Sequence, residues 1–316
     1  MHFTDFLQQL KTGLKAMTTG RCEFMTSLLF ISFLILVTIP DTTFGDITGT
    51  DETNLRNAES SEVLEPLEIS DETDTAGMAQ KLANPLAAMI SFPMQLNYDQ
   101  DFGEHDTGDR FLMNVQPVIP ISISKDWNLI SRTIMPVVTQ DELAVGTGRQ
   151  TGLGDTTESL WFSPVQPTDK GLIWGVGPVI LIPTATDDLL GGGKWGLGPT
   201  AVGLRQIGPW TIGGLANHVW SVAGSDNRND INSTFVQPFV NYTTPTAVTY
   251  ALNLEASYDW ESEQWAVPAN LMVSKLKRFD KQMISFQGGI RYWIESTDSG
   301  PEGLGVRFAV TLLFPR

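Results

Sequence analysis

From residue 82 onward, apolar side chains recur at every second position in segment after segment, and small or polar residues fill the places between. In Val248, Tyr250, Leu252, Leu254, Ala256 and Tyr258 every member is apolar, whereas Ala247, Thr249, Ala251, Asn253, Glu255 and Ser257 are small or polar. Ile90, Phe92, Met94, Leu96 and Tyr98 alternate in the same way with Ser91, Pro93, Gln95 and Asn97. Near the C-terminus Ile284, Phe286, Ile290 and Tyr292 alternate with Ser285, Gln287, Gly289 and Arg291. Successive side chains of a strand point to opposite faces, so the pattern predicts strands with one dry and one wet face. A soluble sandwich also alternates, and further features are needed to choose between it and a membrane barrel.

Twelve such segments begin near residues 87, 110, 127, 154, 171, 196, 210, 233, 247, 264, 282 and 304. Each is about ten residues long, enough to cross a bilayer as a tilted strand. An even count returns both chain ends to the periplasm. Short connections near 121–126, 165–170, 207–209, 243–246 and 275–281 alternate with longer ones such as 140–153, 184–195 and 222–232. Short periplasmic turns and long outer loops give that rhythm, with the first strand running outward. Aromatic residues gather where this topology puts the two interfaces. Trp127, Trp161, Trp174, Trp210 and Tyr242 fall on the periplasmic side, and Tyr98, Trp195, Trp220, Tyr258, Trp265 and Tyr292 on the outer side. Two lipid-facing girdles are expected. The last strand, Val306 to Phe314, resembles the C-terminal signal by which barrel-assembly machinery recognises its clients, although Pro315 and Arg316 follow the final aromatic.

The expected fold is therefore all-β: a transmembrane up-and-down antiparallel β-barrel of about 12 strands in the bacterial outer membrane. Closure matters because an open edge in lipid would leave backbone N–H and C=O groups without partners. Strand prolines such as Pro93, Pro178, Pro238 and Pro268 each remove a ladder donor. Gly175, Gly177 and Gly203 interleave with Trp174, Val176, Val202 and Leu204, which predicts small residues and open space on the lumen side of those strands.

The N-terminal residues follow a different grammar. Lys11, Lys15 and Arg21 precede the apolar run Ser27–Val37, and Pro40 and the small-residue site Thr43-Phe44-Gly45 follow it. That order marks a signal peptide, and the run is only about half the roughly 20 residues of a membrane-spanning helix. Residues 1–45 are expected to be removed. Cys22, the only cysteine, precedes the apolar run and so lies in the wrong place for a lipoprotein anchor. Residues 46–81 are expected to form a disordered acidic periplasmic segment, since positions 46 to 80 hold ten acids against one base, Arg56, and few aromatics. A role for it as a barrel plug or cation binder rests on composition alone. Residues 82–316 form the barrel. The net charge of −16 argues against a nucleic-acid partner.

Several strings carry a resemblance. They are Gly171-Leu-Ile-Trp-Gly-Val-Gly-Pro-Val179, Pro183-Thr-Ala-Thr-Asp-Asp188, Lys194-Trp-Gly-Leu-Gly-Pro-Thr200 and Asn217-His-Val-Trp220. With Val115–Pro120, Trp127–Thr133 and Tyr258–Trp260 they cover most of 82–316. The chain resembles the outer-membrane family named for the meta-pathway of phenol degradation, often labelled transporter or, wrongly, neuromedin U. The resemblance implies an outer-membrane barrel and passage of aromatic compounds, and it supplies no catalytic or binding residues.

Little in the mature chain looks like catalysis. Only His105 and His218 remain, with no nucleophile motif beside either. His218 could pair with Ser221, Asp226 or Asp230 in an outer-membrane hydrolase, which is the alternative to transport; a structural surface barrel is a third reading. Gly191-Gly-Gly-Lys194 lacks the Ser or Thr of a phosphate loop, since Trp195 follows. Asp187 with Asp188, or Asp226 with Asp230, could ligate calcium, although acidic turns are common. No catalytic, metal or cofactor site is expected. Charged and amide groups fall on the wet face of their strands: Arg132, Asn253, Glu255, Gln287, Arg291 and Arg307. These are the expected channel-lining residues. A simple hairpin register puts Arg291 beside Arg307, with Glu255 as the nearby carboxylate. The expected function is passive passage of small solutes, with membrane lipid, the solute and the assembly machinery as partners.

Overall fold

The structure, a computed structural model, describes residues 68–103, 105–143 and 146–314, with side chains from residue 75 onward. The expected leader and most of the acidic segment lie outside the described residues. The strands are β1 (Ile90–Phe102), β2 (Gly108–Val115), β3 (Val118–Ser122), β4 (Trp127–Asp141), β5 (Arg149–Leu153), β6 (Thr156–Pro164), β7 (Leu172–Ile182) and β8 (Lys194–Ile207). They continue as β9 (Trp210–Gly224), β10 (Asn232–Thr243), β11 (Val248–Leu254), β12 (Ala256–Asp259), β13 (Gln264–Phe279), β14 (Gln282–Glu295) and β15 (Leu304–Phe314). All pair antiparallel with their neighbours in one sheet, and β1 pairs β15, so the sheet closes on itself. β2 with β3, β5 with β6, and β11 with β12 are halves of interrupted strands, which leaves a closed twelve-stranded barrel. Its strands begin within a few residues of the positions read from the alternation.

Each interruption faces a proline. The break at Gln116-Pro117 lies opposite Pro93, whose carbonyl accepts Gln116 N–H at 2.8 Å. The break at Gly154-Asp155 lies opposite Pro136, whose carbonyl accepts Gly154 N–H at 2.9 Å. Glu255 separates β11 from β12 where Pro238 and Pro268 stand on the two flanking strands. Its N–H reaches Pro268 O at 3.0 Å, but Pro268 has no N–H to return.

Pro178 and Pro199 make a different arrangement, because they oppose each other directly in β7 and β8. Pairing with the outer neighbours is interrupted there, between Ser159↔Val179 and Phe162↔Val176 on one side and between Leu197↔Trp220 and Thr200↔Asn217 on the other. A glycine precedes each proline. A methyl group on Gly177 would sit on the Leu160 carbonyl oxygen, and one on Gly198 on that of His218. The glycine Cα–H bonds therefore point at the acceptors that the prolines leave without N–H donors, a weak substitute that lipid makes worthwhile. Gly177→Ala and Gly198→Ala should each lower the yield of heat-modifiable, folded barrel, the double variant most. Wild-type yield for both single variants would show that these approaches do not matter.

The two faces of the sheet are chemically distinct. Phe162, Val176, Leu197, Tyr250, Leu252 and Leu271 are exposed on the outside, where lipid would cover them. Girdle aromatics pack in pairs: Trp127 with Trp174 at 5.9 Å and Trp210 with Tyr242 at 4.9 Å on the periplasmic rim, Tyr258 with Trp265 at 4.8 Å on the outer rim. Trp161 departs from the expected girdle. It points inward, fully buried, and donates its indole N–H to Thr200 Oγ1 at 3.1 Å. Val202 and Leu204 also turn inward, leaving Gly203 outside. The reason is that this half of the lumen is dry: Leu86, Ile130, Trp161, Val202, Leu204 and Leu215 form one buried apolar cluster.

Leu86 reaches that cluster because the chain before β1 enters the barrel. Helix α1 (Glu68–Leu82) covers the last part of the segment expected to be disordered. It stops before Asn84-Pro85, as the residue preceding a proline resists helical geometry. Asn84 Oδ1 then accepts the Leu86 N–H at 2.9 Å. Met78 and Ala79 of α1 pack with Met89, Ala247, Leu276, Met283 and Leu313 at the periplasmic end. Gln206 Nε2 donates to Gln80 O at 2.9 Å, and Gln80 Nε2 to Gly208 O, which fixes the helix to the turn between β8 and β9.

Candidate functional site

Above this plug lies a cavity of about 590 Å³ inside the barrel. Ala79, Leu82, Asn84, Pro85, Ala87 and Met89 line it from the plug. Arg132, Asn253, Glu255, Gln287, Arg291 and Arg307 all stand on its wall. Alternation is what places them there, since each shares an inner row with small or polar neighbours such as Thr249 and Ala251, or Ser285 and Gly289.

The charged groups form a linked set. Glu255 receives Arg307 in a bidentate pair, Nη1–Oε1 at 2.7 Å and Nη2–Oε2 at 2.8 Å, and Arg307 Nε donates to Asn97 Oδ1 at 2.7 Å. Such fork-to-carboxylate pairing is among the strongest polar contacts a protein makes. Arg291 lies 3.9 Å from Glu255 Oε2 and 3.3 Å from Asp99 Oδ1, the second contact close but not aligned as a hydrogen bond. Asp99 is fully buried; it also accepts Trp293 Nε1–H at 3.0 Å and has Arg110 at 3.9 Å. Arg132 donates to Gln116 Oε1 at 2.7 Å, and Asn253 Oδ1 accepts from Asn270 at 2.8 Å.

Arg291 and Arg307 are not side by side, contrary to the simple hairpin register. Arg307 lies opposite Gly289 and Arg291 opposite Gly305, a slip of two residues. Both glycines are needed. A Cβ at Gly305 would come within 2.7 Å of Asp99 Oδ1 and 3.1 Å of Arg291 Cγ, and one at Gly289 would strike Met272 at 2.6 Å. Sequence reasoning missed Asp99 and Arg110, although Asp99 continues the inner row of Gln95 and Asn97, and Arg110 stands opposite Asp99 on β2.

The outer loops are tied by a second polar group. Arg228 donates to the carbonyls of Asp188, Gly191 and Gly192, while Asp155 accepts the N–H groups of Ala185 at 3.1 Å and Gly192 at 2.6 Å. Asp230 takes Lys194 Nζ at 3.1 Å and Ser221 Oγ at 3.1 Å. Those partners hold its carboxyl below the usual carboxylate range, the Lys194 hydrogen bond most.

The same contacts bear on the hydrolase alternative. Ser221 belongs to the inner row of β9, whereas His218 stands on the outer row, 4.1 Å from the Trp220 ring. His218 Nδ1 bonds Thr234 Oγ1 at 2.7 Å, and the same oxygen accepts Trp260 Nε1–H at 2.8 Å. No His218–Ser221 pair forms. Among the described residues no group of three or more His, Cys, Asp or Glu side chains could hold a metal ion.

No family model and no curated protein matches the sequence. Among solved structures the barrel superposes on an outer membrane channel from Pseudomonas putida F1 with a TM-score of 0.58, at 13% identity, covering 72% of this chain and 96% of that one. The NanC porin, at 10% identity and TM-score 0.44, covers 72% and 100%, and outer membrane phospholipase A from Escherichia coli, at 10% and 0.43, covers 77% and 98%. The first establishes a shared fold. With its closed sheet, lipid-facing apolar belt and aromatic rims, the chain is a β-barrel of the bacterial outer membrane.

Proposed function

We propose that the barrel passes small solutes by passive diffusion, aromatic compounds among them, along a passage lined by Arg132, Asn253, Glu255, Gln287, Arg291 and Arg307. The observation that carries this reading is an open cavity, with charged and amide groups on its wall, inside a closed barrel: an inert surface barrel of this size could fill its lumen with side chains. The likeness to an outer membrane channel supports it at the level of fold, and aromatic solutes rest on the sequence resemblance. Residues 1–45 act in this reading as an export signal, and the assembly machinery inserts the mature chain.

Single-channel recording of the refolded mature protein in planar bilayers tests it. Stable current steps are expected. A folded, heat-modifiable protein that inserts and carries no current would remove the transport reading.

A further inference from the structure

The cavity wall carries three arginines, Arg132, Arg291 and Arg307, against one carboxylate, Glu255. Counting Asp99 and Arg110 of the same linked set leaves four cations and two anions. Charges taken from water are costly unless compensated, so the surplus needs a counter-ion. The arginines are not equally free to take one. Both Nη atoms of Arg307 are held by Glu255, and Arg291 lies against two carboxylates. Arg132 lines the cavity and donates its one side-chain hydrogen bond to the neutral Gln116, with Glu255 in electrostatic range but not hydrogen-bonded to it.

Arg132 shares the cavity wall with Glu255, which lies within electrostatic range of it, and with apolar side chains. Ile130, two residues below it on the same inner row, belongs to the buried cluster, against which Phe235 and Phe239 pack from β10. Phe235, Phe239 and Leu215 also line the cavity. A solute resting there meets one charged donor group and an apolar wall together. A phosphate or other multiply charged, fully hydrated ion could use only the first.

We infer that the cavity holds a binding site for small amphipathic monocarboxylates, with the carboxylate on Arg132 and the apolar body against Phe235, Phe239 and Leu215. The inference rests on the reading of the lumen as a solute passage and names the class of solute it retains. A volume of about 590 Å³ suits one molecule of that kind with some water.

Benzoate is the probe, acetate the carboxylate without a ring and benzamide the ring without a charge. Equilibrium binding is measured on the refolded mature protein in detergent, with folding checked by heat-modifiable migration. Benzoate should bind at least about tenfold more tightly than either control, and Arg132→Gln should lose about that factor. Phe239→Ala should weaken benzoate while leaving acetate unchanged, which a merely structural loss would not do. If Arg132→Gln fails to fold, Phe239→Ala and Arg132→Lys decide the matter. Benzoate binding no tighter than the controls, or untouched by the folded variants, overturns the site. Current steps without benzoate binding would sink this inference alone, whereas binding without current would sink the channel reading and leave the site standing.

Discussion

Removal of residues 72–86 should raise single-channel conductance several-fold while leaving the barrel folded. These residues supply the part of α1 and the following segment that stand at the periplasmic end of the cavity, yet no strand depends on them for ladder partners. Their hold on the wall is moderate. It includes Met78, Ala79 and Leu86 in two apolar clusters, Ala76 and Leu82 packed beside the first, and two hydrogen bonds from the Gln80–Gln206 region. Full burial of one Leu side chain is worth about 1.5–3 kcal/mol. Leu86→Asp should therefore favour a displaced plug, and currents from that variant should show longer or larger openings than wild type. Equal conductance in wild type and the deletion would mean that the plug does not limit the passage.

The barrel was legible because two solvents read one strand. Lipid outside and water inside impose opposite demands at each step, so Tyr250 and Leu252 against Thr249 and Ala251 reveal both faces at once. The six charged and amide positions followed from the same parity. What failed to read was everything that depends on the lumen being dry on one side. Trp161 lies between Leu160 and Phe162, and Val202 and Leu204 flank only a glycine, so parity loses contrast where both faces are apolar. The plug was obscured for a related reason. An acidic stretch with Met78 and Ala79 near its end, and Leu86 just beyond it, packs against a barrel wall through those three side chains, and nothing local to the segment reports that wall. The slip between Arg291 and Arg307 was set by the geometry of the connecting loop, where Gly303 adopts a left-handed φ of 69° and its carbonyl accepts Trp293 N–H at 3.0 Å. Loop conformation of that kind has no signature in alternation.

Replacing both Arg291 and Arg307 by Ala should move the reversal potential in a salt gradient toward cations, and Glu255→Gln should move it toward anions. The sign follows from the inner charges. Four arginines stand near two carboxylates in the native lumen, and removing Arg291 and Arg307 cancels the surplus, while neutralising Glu255 enlarges it. Both shifts should shrink as salt rises, because the screening length falls from about 10 Å at 0.1 M to about 3 Å at 1 M. Stability moves separately. Breaking one partner out of a buried ion pair costs about 3–5 kcal/mol, and Glu255→Gln leaves Arg307 facing a neutral amide with Asn97 as its remaining acceptor. The single variant should therefore unfold at lower denaturant than wild type. The double arginine variant leaves Asp99 the Trp293 indole and Arg110, and leaves Glu255 near Arg132, so part of its cost is relieved. Opposite shifts from two folded variants would tie selectivity to these charges and not to a general loosening of the barrel. A common direction, or no shift in conducting protein at low salt, would show that solutes do not pass close to Arg291, Arg307 and Glu255.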